Sequence, residues 1–263
     1  MRQLAKGLVE LLFPGAFNRR YLAKATPKER ELVLLPALLE PGTSAVDIGA
    51  NRGLFVRHLL NAGAKVIAFE PMPPMQQWLK RIYGGGIRLE PVALADTSGT
   101  AEIRYPKGNF SWATLATENQ LEKATARIRR ETVPIKTLDS YGLTGVSFIK
   151  IDVEGYEEPV LLGARNTIER NRPSLLVESE NRHNPGVTGR LFGFFRELGY
   201  SGYFLDGNDI VTVEHFDPDR DQRSENVGEG GKSGRYINNF IFLPNERSEA
   251  ILQRMRDIMA TAA

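Results

Sequence analysis

Four short β-like segments of this chain end in or beside an acidic residue, and that repetition restricts the fold more than any other feature. They are Ser44-Ala45-Val46-Asp47, Lys65-Val66-Ile67-Ala68-Phe69-Glu70, Val146-Ser147-Phe148-Ile149-Lys150-Ile151-Asp152 and Ser174-Leu175-Leu176-Val177-Glu178. Short apolar runs separated by helical stretches are the pattern of a parallel sheet covered on both faces. The acids then fall at the C-terminal edge of the sheet, where open α/β sheets bind ligands because loops and helix N-termini converge there.

The spacing predicts helices over 53–62, 72–83 and 157–170, the last beginning near Pro159. Asp47 and Glu70 are 23 residues apart and Asp152 and Glu178 are 26 apart, whereas Glu70 to Asp152 spans 82. That long interval has room for a hairpin, Ile87 to Leu94 with Ala101 to Tyr105 joined through Asp96-Thr97-Ser98-Gly99, and for an insertion over 106–131 that would cap the sheet edge. Within the insertion, Lys123 to Arg130 is expected as a basic helix. After a helix at 189–198, closing strands are expected at Tyr200 to Leu205, Ile210 to Val213 and Asn239 to Leu243, including an antiparallel pair. The organisation expected is an N-terminal helical extension over 1–39, one domain over 40–245 with a flexible Gly-rich loop at 224–234, and a C-terminal helix over 246–263.

Size and charge narrow the function. A chain of 263 residues with 41% apolar content can bury a substantial core. Its 34 Lys and Arg against 32 Asp and Glu leave a net charge of +2, which gives no electrostatic ground for nucleic-acid binding. The absence of cysteine removes disulfides, thiol nucleophiles and cysteine-based metal sites. Leu8 to Phe13 is interrupted by Glu10 and closed by Pro14, so no signal-peptide core is present, and no run reaches the roughly 20 apolar residues of a membrane span. A cytoplasmic setting is expected, with Leu4, Leu8, Leu11 and Leu12 forming an amphipathic face that packs on the domain.

The strand Val46-Asp47-Ile48 runs into Gly49-Ala50-Asn51-Arg52-Gly53. Gly49 and Gly53 suit a sharp turn and a close backbone approach to a ligand. A dinucleotide fingerprint would place glycines where Asn51 and Leu54 stand. The pattern is instead similar to the first motif of S-adenosylmethionine-dependent methyltransferases. Glu70, ending the next strand, can accept two hydrogen bonds from a ribose diol. Asp47 is a candidate for orienting the cofactor's amino group or the loop amides. Asp96 either receives an adenine amine or starts the hairpin turn.

Phe148 to Glu157 joins a buried-looking strand to an acidic turn, Asp152-Val153-Glu154-Gly155-Tyr156-Glu157. Together with Val46 to Gly53, Phe69-Glu70-Pro71, Ala93-Leu94-Ala95-Asp96, Thr137-Leu138-Asp139, Val160 to Ala164 and Asn238 to Pro244, it resembles the FkbM family of methyltransferases over about residues 40 to 245. The resemblance implies a class I, Rossmann-like α/β fold: a mostly parallel sheet with helices on both faces and an antiparallel terminal strand. It also implies S-adenosylmethionine as methyl donor and O-methylation of a sugar, glycan or polyketide hydroxyl. An NAD-dependent oxidoreductase, or a ligand-binding domain whose chemistry has lapsed, is the alternative.

Cofactor contacts are thus expected from Asp47, Gly49, Asn51, Gly53, Glu70 and Asp96. Removing the acceptor's hydroxyl proton calls for a base or a divalent ion. Among the three histidines, His183 follows the strand that ends at Glu178 and is the candidate base, bordering the acceptor pocket with Asp152. His58 falls within a helix and His215 in an acidic loop. Asp152 and Glu178 resemble the carboxylates of magnesium-dependent catechol O-methyltransferases, which makes a bridging Mg²⁺ the other candidate. The lysine of those enzymes is replaced here by Gly155. Lys150, two residues before Asp152, is on the same strand face and is expected to pair with an acid. Phe110 and Trp112 either pack a sugar face or anchor the insertion.

Overall fold

A computed structural model describes residues 13–117, 119, 121, 127–228, 231, 232 and 234–262. The extension comprises helix α1 (Pro14–Ala25), 3₁₀ turns at Thr26–Lys28 and Arg30–Leu34, and a short helix at Leu35–Leu38. The expected amphipathic face at the amino terminus lies outside the described residues, apart from the exposed Phe13.

The domain runs β1 (Ser44–Ile48), α2 (Leu54–Asn61), β2 (Lys65–Phe69), α3 (Pro73–Tyr83), β3 (Arg88–Glu90), β4 (Ala93–Leu94), β5 (Gly99–Pro106), β6 (Ile128–Lys136) and β7 (Val146–Ile151). It continues with α4 (Glu157–Leu162), α5 (Arg165–Asn171), β8 (Ser174–Glu178), α6 (Val187–Glu197), β9 (Tyr200–Asp206) and β10 (Asp209–Thr212). A two-residue ladder, β11 (Val227–Gly228) with β12 (Gly231–Lys232), falls in the expected Gly-rich loop. Strand β13 (Asn239–Pro244) and α7 (Ser248–Ala262) complete the chain.

Among the described residues, eight strands form the main sheet in the order β10-β9-β13-β8-β7-β1-β2-β3. From β3 to β8 every pairing is parallel, while β13 is antiparallel to both β8 and β9. This is the mostly parallel α/β sheet with an antiparallel terminal strand that the sequence predicts. Period-2 alternation splits the strands between two cores: Ala45, Phe148, Leu176 and Ile241 point to one, Val46, Ile149, Leu175 and Phe240 to the other. The first core also takes Leu34, Leu35 and Leu38 of the extension and Leu252 and Met255 of α7. The terminal segments are therefore part of the domain's packing. In the second, Phe195 stacks on Phe242 with ring centroids 3.8 Å apart. No helix among the described residues is long and apolar enough to cross a membrane.

Three expectations require correction. The segments around Asp96 do not form a hairpin: β4 and β5 both pair with β6, β4 parallel and β5 antiparallel, so a strand contributed from farther along separates them. Arg129 and Arg130, expected in a basic helix, lie in that strand opposite Tyr105 and Arg104, while residues 123–126 of the expected helix fall outside the described residues. The single helix over 157–170 is two helices, α4 and α5, interrupted at Gly163. A Cβ at Gly163 would stand 2.0 Å from the Ala95 carbonyl oxygen, so this break is where the helix pair meets the β4 end.

Candidate functional site

The C-terminal ends of β1, β2 and β7 open into a cleft on that edge of the sheet. Gly49, Asn51, Glu70, Asp152 and Glu154 belong to its walls, and Phe110, Ser111 and Thr114 of the β5–β6 segment complete them. Two of the four strand-end acids, Glu70 and Asp152, thus meet in one cleft at the C-terminal edge of the sheet, while Asp47 and Glu178 are not part of its wall.

Backbone geometry at the glycine loop is strained in a way that explains its residues. Gly49 has φ +80°, and a Cβ there would lie 1.9 Å from the Asp152 carbonyl oxygen, so the glycine lets β1 and β7 end side by side. Gly53, at φ +79°, faces Tyr83 and Leu79, and Tyr83 donates its hydroxyl to the Gly53 carbonyl at 2.6 Å. Both glycines serve close packing within the protein. Asn51 is left-handed at φ +48°, a conformation that asparagine tolerates.

The Asn51 amide donates to Glu70 Oε2 at 2.7 Å, and the Met72 amide donates to Glu70 Oε1 at 2.8 Å. Burial pushes the Glu70 carboxyl up to about 7, against the pull of these two amides. Each carboxylate oxygen has a second lone pair available. Asn51 Oδ1 is buried without a hydrogen-bond partner. An unpaired acceptor beside a half-used carboxylate fits a ligand that brings hydroxyl or amine donors, as a nucleoside does.

Asp47 is fully buried and does not line the cleft. Its sheet register places it opposite Lys150, whose ammonium is 3.8 Å away and 2.9 Å from Asp152 Oδ2. Burial pushes Asp47 up to about 6, with Lys150 opposing. For Lys150, burial works against the charge, but Asp152 and Asp47 hold its pKa above the ordinary lysine value. Lys150 therefore pairs with acids, as expected, and ties the β1 and β7 ends together. Asp96 is exposed and not part of the cleft wall; Phe110 is part of it, whereas Trp112 is 41% exposed.

Past β7, the acidic turn is held by an internal device that the sequence did not reveal. The Gly155 and Val153 amides donate to Glu157 Oε1 at 3.0 and 3.2 Å, and burial pushes Glu157 up to about 7. Glu154 has φ +56°, and its carbonyl accepts from Thr114 Oγ1 at 2.8 Å and Asn119 Nδ2 at 2.7 Å. Burial raises the Glu154 carboxyl well above the usual range, reinforced by the negative charges of Asp152 and Glu180. His183 packs against this turn so closely that a Cβ on Gly155 would lie 2.8 Å from its Cβ. The ring places Nε2 3.4 Å from Glu180 Oε2 and 3.8 Å from Glu154 Oε2. Glu180 is itself bound by Tyr236 Oη at 2.6 Å, by Arg182 and by Asn238. Although burial opposes its charge, the His183 and Arg182 contacts hold the Glu180 carboxyl well below the usual range. The other two histidines sit elsewhere: His58 meets Thr26 Oγ1 at 3.0 Å and His215 meets Thr212 Oγ1 at 3.2 Å.

Among the described residues, no three His, Asp or Glu side chains gather as metal ligands would. Asp152 is tied to the Lys150 ammonium and Glu178 accepts from the Asn238 amide. A buried cation already sits against Asp152, so these residues do not fit a magnesium ion bridging Asp152 and Glu178.

The chain is similar to several known proteins. Over 192 residues the chain is 27% identical to the AMB antimetabolite synthetase AmbE of Pseudomonas aeruginosa, a stretch that is 58% of this chain and 9% of that protein. The chain thus spans less than a tenth of the length of that curated relative. A crystal structure of methyltransferase FkbM from Methylobacillus flagellatus KT is 18% identical with a TM-score of 0.45, covering 76% of this chain and 43% of that one. A putative methyltransferase from Streptococcus mutans, crystallised in complex with SAH, is 12% identical with a TM-score of 0.42, covering 82% of this chain and 97% of that one. The family model described as the methyltransferase FkbM domain matches residues 47–201, more than half of the chain. Because that match begins at Asp47 in β1 and extends past Glu70, the acidic turn and His183 into β9, the chain belongs to the FkbM methyltransferase family.

Proposed function

We propose that this chain is an S-adenosylmethionine-dependent O-methyltransferase whose acceptor is a hydroxyl of a sugar, glycan or polyketide-type compound. The observation that carries the cofactor half is Glu70, a buried carboxylate on the cleft wall with one lone pair of each oxygen held by a backbone amide and the others unused. Its remaining lone pairs suit the two hydroxyls of a ribose, and the unpaired Asn51 Oδ1 suits a further donor. S-adenosylmethionine, when bound, supplies a methyl group on a positively charged sulfur. The carboxylates that line this cleft favour such a cationic ligand electrostatically. The residues of the wall then have to hold an acceptor oxygen in line with that methyl group, which is chiefly a matter of positioning. Asp152 commits one oxygen to Lys150 and is 30% exposed through its side chain, so it is available to the ligand.

Calorimetry with S-adenosylhomocysteine tests the cofactor. Saturable binding is expected, and binding of NADH with none of S-adenosylhomocysteine would reverse the assignment. Transfer of a labelled methyl group to a panel of glycosides, glycans and hydroxylated natural products tests the acceptor. Label appearing only on nitrogen or carbon acceptors would overturn O-methylation.

A further inference from the structure

The glycine loop after β1 is gripped by two aromatic side chains, and one of them belongs to the N-terminal extension. Within Gly49-Ala50-Asn51-Arg52-Gly53, the residues Gly49, Asn51 and Gly53 are left-handed, at φ +80°, +48° and +79°. Asparagine tolerates that conformation without favouring it, so the posture at Asn51 has to be maintained by its surroundings. The posture matters because the Asn51 amide is one of the two that hold Glu70.

Arg52, the next residue, is the point of attachment. Trp78 of α3 donates its indole Nε1–H to the Arg52 carbonyl at 3.3 Å, and its ring centroid lies 5.1 Å from the Arg52 guanidinium carbon. The Phe17 ring of α1 has its centroid 5.6 Å from the same carbon. Both separations are within cation–π range. The two rings meet edge to face, with centroids 5.6 Å apart and planes at 79°. Trp78 is buried and Phe17 half-buried, so these contacts are partly shielded from water. One turn farther along α1, Tyr21 shares the helix face of Phe17. Burial pushes its hydroxyl up, while the positive charges of Arg52 and Lys150 oppose that rise.

We propose that Phe17 and Trp78 form a clasp on Arg52 that positions the glycine loop, keeping the Asn51 amide on Glu70, so that the N-terminal extension is part of the cofactor site. This rests on the methyltransferase reading and deepens it. Phe17, Arg52 and Trp78 are not in the cleft wall; they act through Asn51, as positioning residues. The clasp ties the loop after β1 to α3, the helix that begins just after Met72, whose amide is the other one on Glu70. Loosening it lets Asn51 leave the left-handed region, and Glu70 Oε2 then loses the amide that orients it for a ribose diol.

The test uses variants of the full chain. F17A should weaken S-adenosylhomocysteine in calorimetry by about 3- to 10-fold, the worth of a partly shielded cation–π contact, and F17Y, which keeps the ring, should stay within about two-fold of native. Introduced into E70A, the same F17A change should add less than about two-fold, because the clasp acts through the carboxylate that E70A removes. A residue that only supports the fold would cost as much in either background. Amide hydrogen exchange on the free protein gives a second reading: F17A should speed exchange at Asn51 and leave the Met72 amide near its native rate. If F17A does not fold, F17L, which keeps apolar bulk without the ring, carries the same comparison.

Native affinity in F17A would overturn the clasp. So would an equal loss with and without Glu70, or equal speeding of exchange at Asn51 and Met72. If the native protein does not bind S-adenosylhomocysteine, the methyltransferase reading fails instead, and exchange at Asn51 in the free protein still decides whether Phe17 holds the loop.

Discussion

Two groups of residues make up the cleft, and they hold their carboxylates by different means. Glu70 is fixed by the amides of Asn51 and Met72, which belong to the loops immediately after β1 and β2. Glu154 is fixed through its carbonyl by Thr114 and Asn119 and faced by His183, side chains brought from the segment after β5 and from the loop after β8. The first arrangement needs little beyond the parallel pairing of β1 with β2 and a left-handed Asn51. The second depends on side chains distant in sequence, and each can be replaced without changing the sheet. Backbone-held carboxylates suit a ligand part that never varies, such as a nucleoside. Side-chain-held ones suit the part that differs from one acceptor to another.

If the backbone-held half depends on close packing of strand ends, the largest effect belongs to Gly49→Ala. The new methyl would need the space of the Asp152 carbonyl oxygen, at a φ that alanine disfavours. A loss of about 3 kcal/mol or more in stability is expected from the strain and the overlap together. Urea denaturation measures it. A near-native midpoint would mean that β1 and β7 can separate cheaply, and the contrast between the two halves would collapse.

Next in size is Glu70→Ala, which should weaken S-adenosylhomocysteine by about 1.5–3 kcal/mol if the diol bonds are charge-assisted. Isothermal titration decides this, and unchanged affinity removes Glu70 from the cofactor site.

A pH series sharpens the same point. Glu70 is pushed up to about 7 by burial, so lowering the pH protonates it and removes lone pairs from the diol. The ionised fraction falls roughly ten-fold between pH 8 and pH 6, and affinity should fall by about the same factor. Glu70→Gln should be weak and flat over that range. Without ligand the sign for stability is opposite. Asp47, Glu70 and Glu157 bind protons more tightly folded than unfolded, with folded values of about 6, 7 and 7 against 3.8, 4.5 and 4.5. Their contribution is fully present below the unfolded values and is lost as pH rises through the folded ones, so thermal melts of the free protein should fall across that window.

The backbone-held half was legible because its signals are local. Short apolar runs, a glycine loop and a strand-end acid mark β1, the turn and Glu70 within 27 residues. The region between Glu70 and Asp152 was misread for a physical reason. Asp96-Thr97-Ser98-Gly99 is a good turn, but a turn does not say which strand fills the place beside it. Strand β6 fills it, pairing Ile135 with both Ala93 and Gly99, and its own pattern is obscured by Pro134 and by charges on its exposed positions. Only Val133 and Ile135 are buried there. The contact of Asn119 Nδ2 with His183 Nδ1, at 2.7 Å, has no sequence signal at all, because nothing local links residues that far apart. The acidic turn announced itself as chemistry without revealing that Glu157 holds the turn through its amides while Glu154 faces the histidine.

The smallest expected effect tests whether the two halves are independent. Thr114 Oγ1 donates to the Glu154 carbonyl and accepts from the Ala116 amide at 2.9 Å. Thr114→Ala removes both bonds, but Asn119 still donates to the same carbonyl, so the carbonyl is not left bare. One amide loses its partner, and a stability loss of about 1 kcal/mol is expected. Glu70 and its two amides belong to other loops, so S-adenosylhomocysteine affinity should stay within about two-fold, while acceptor kcat/KM falls because Glu154 is less firmly held. Equal losses of cofactor and acceptor binding would mean that strain at Glu154, left-handed at φ +56°, is transmitted through Asp152 to the glycine loop. The contact between Gly49 and the Asp152 carbonyl would then be a coupling between the halves as well as a packing constraint.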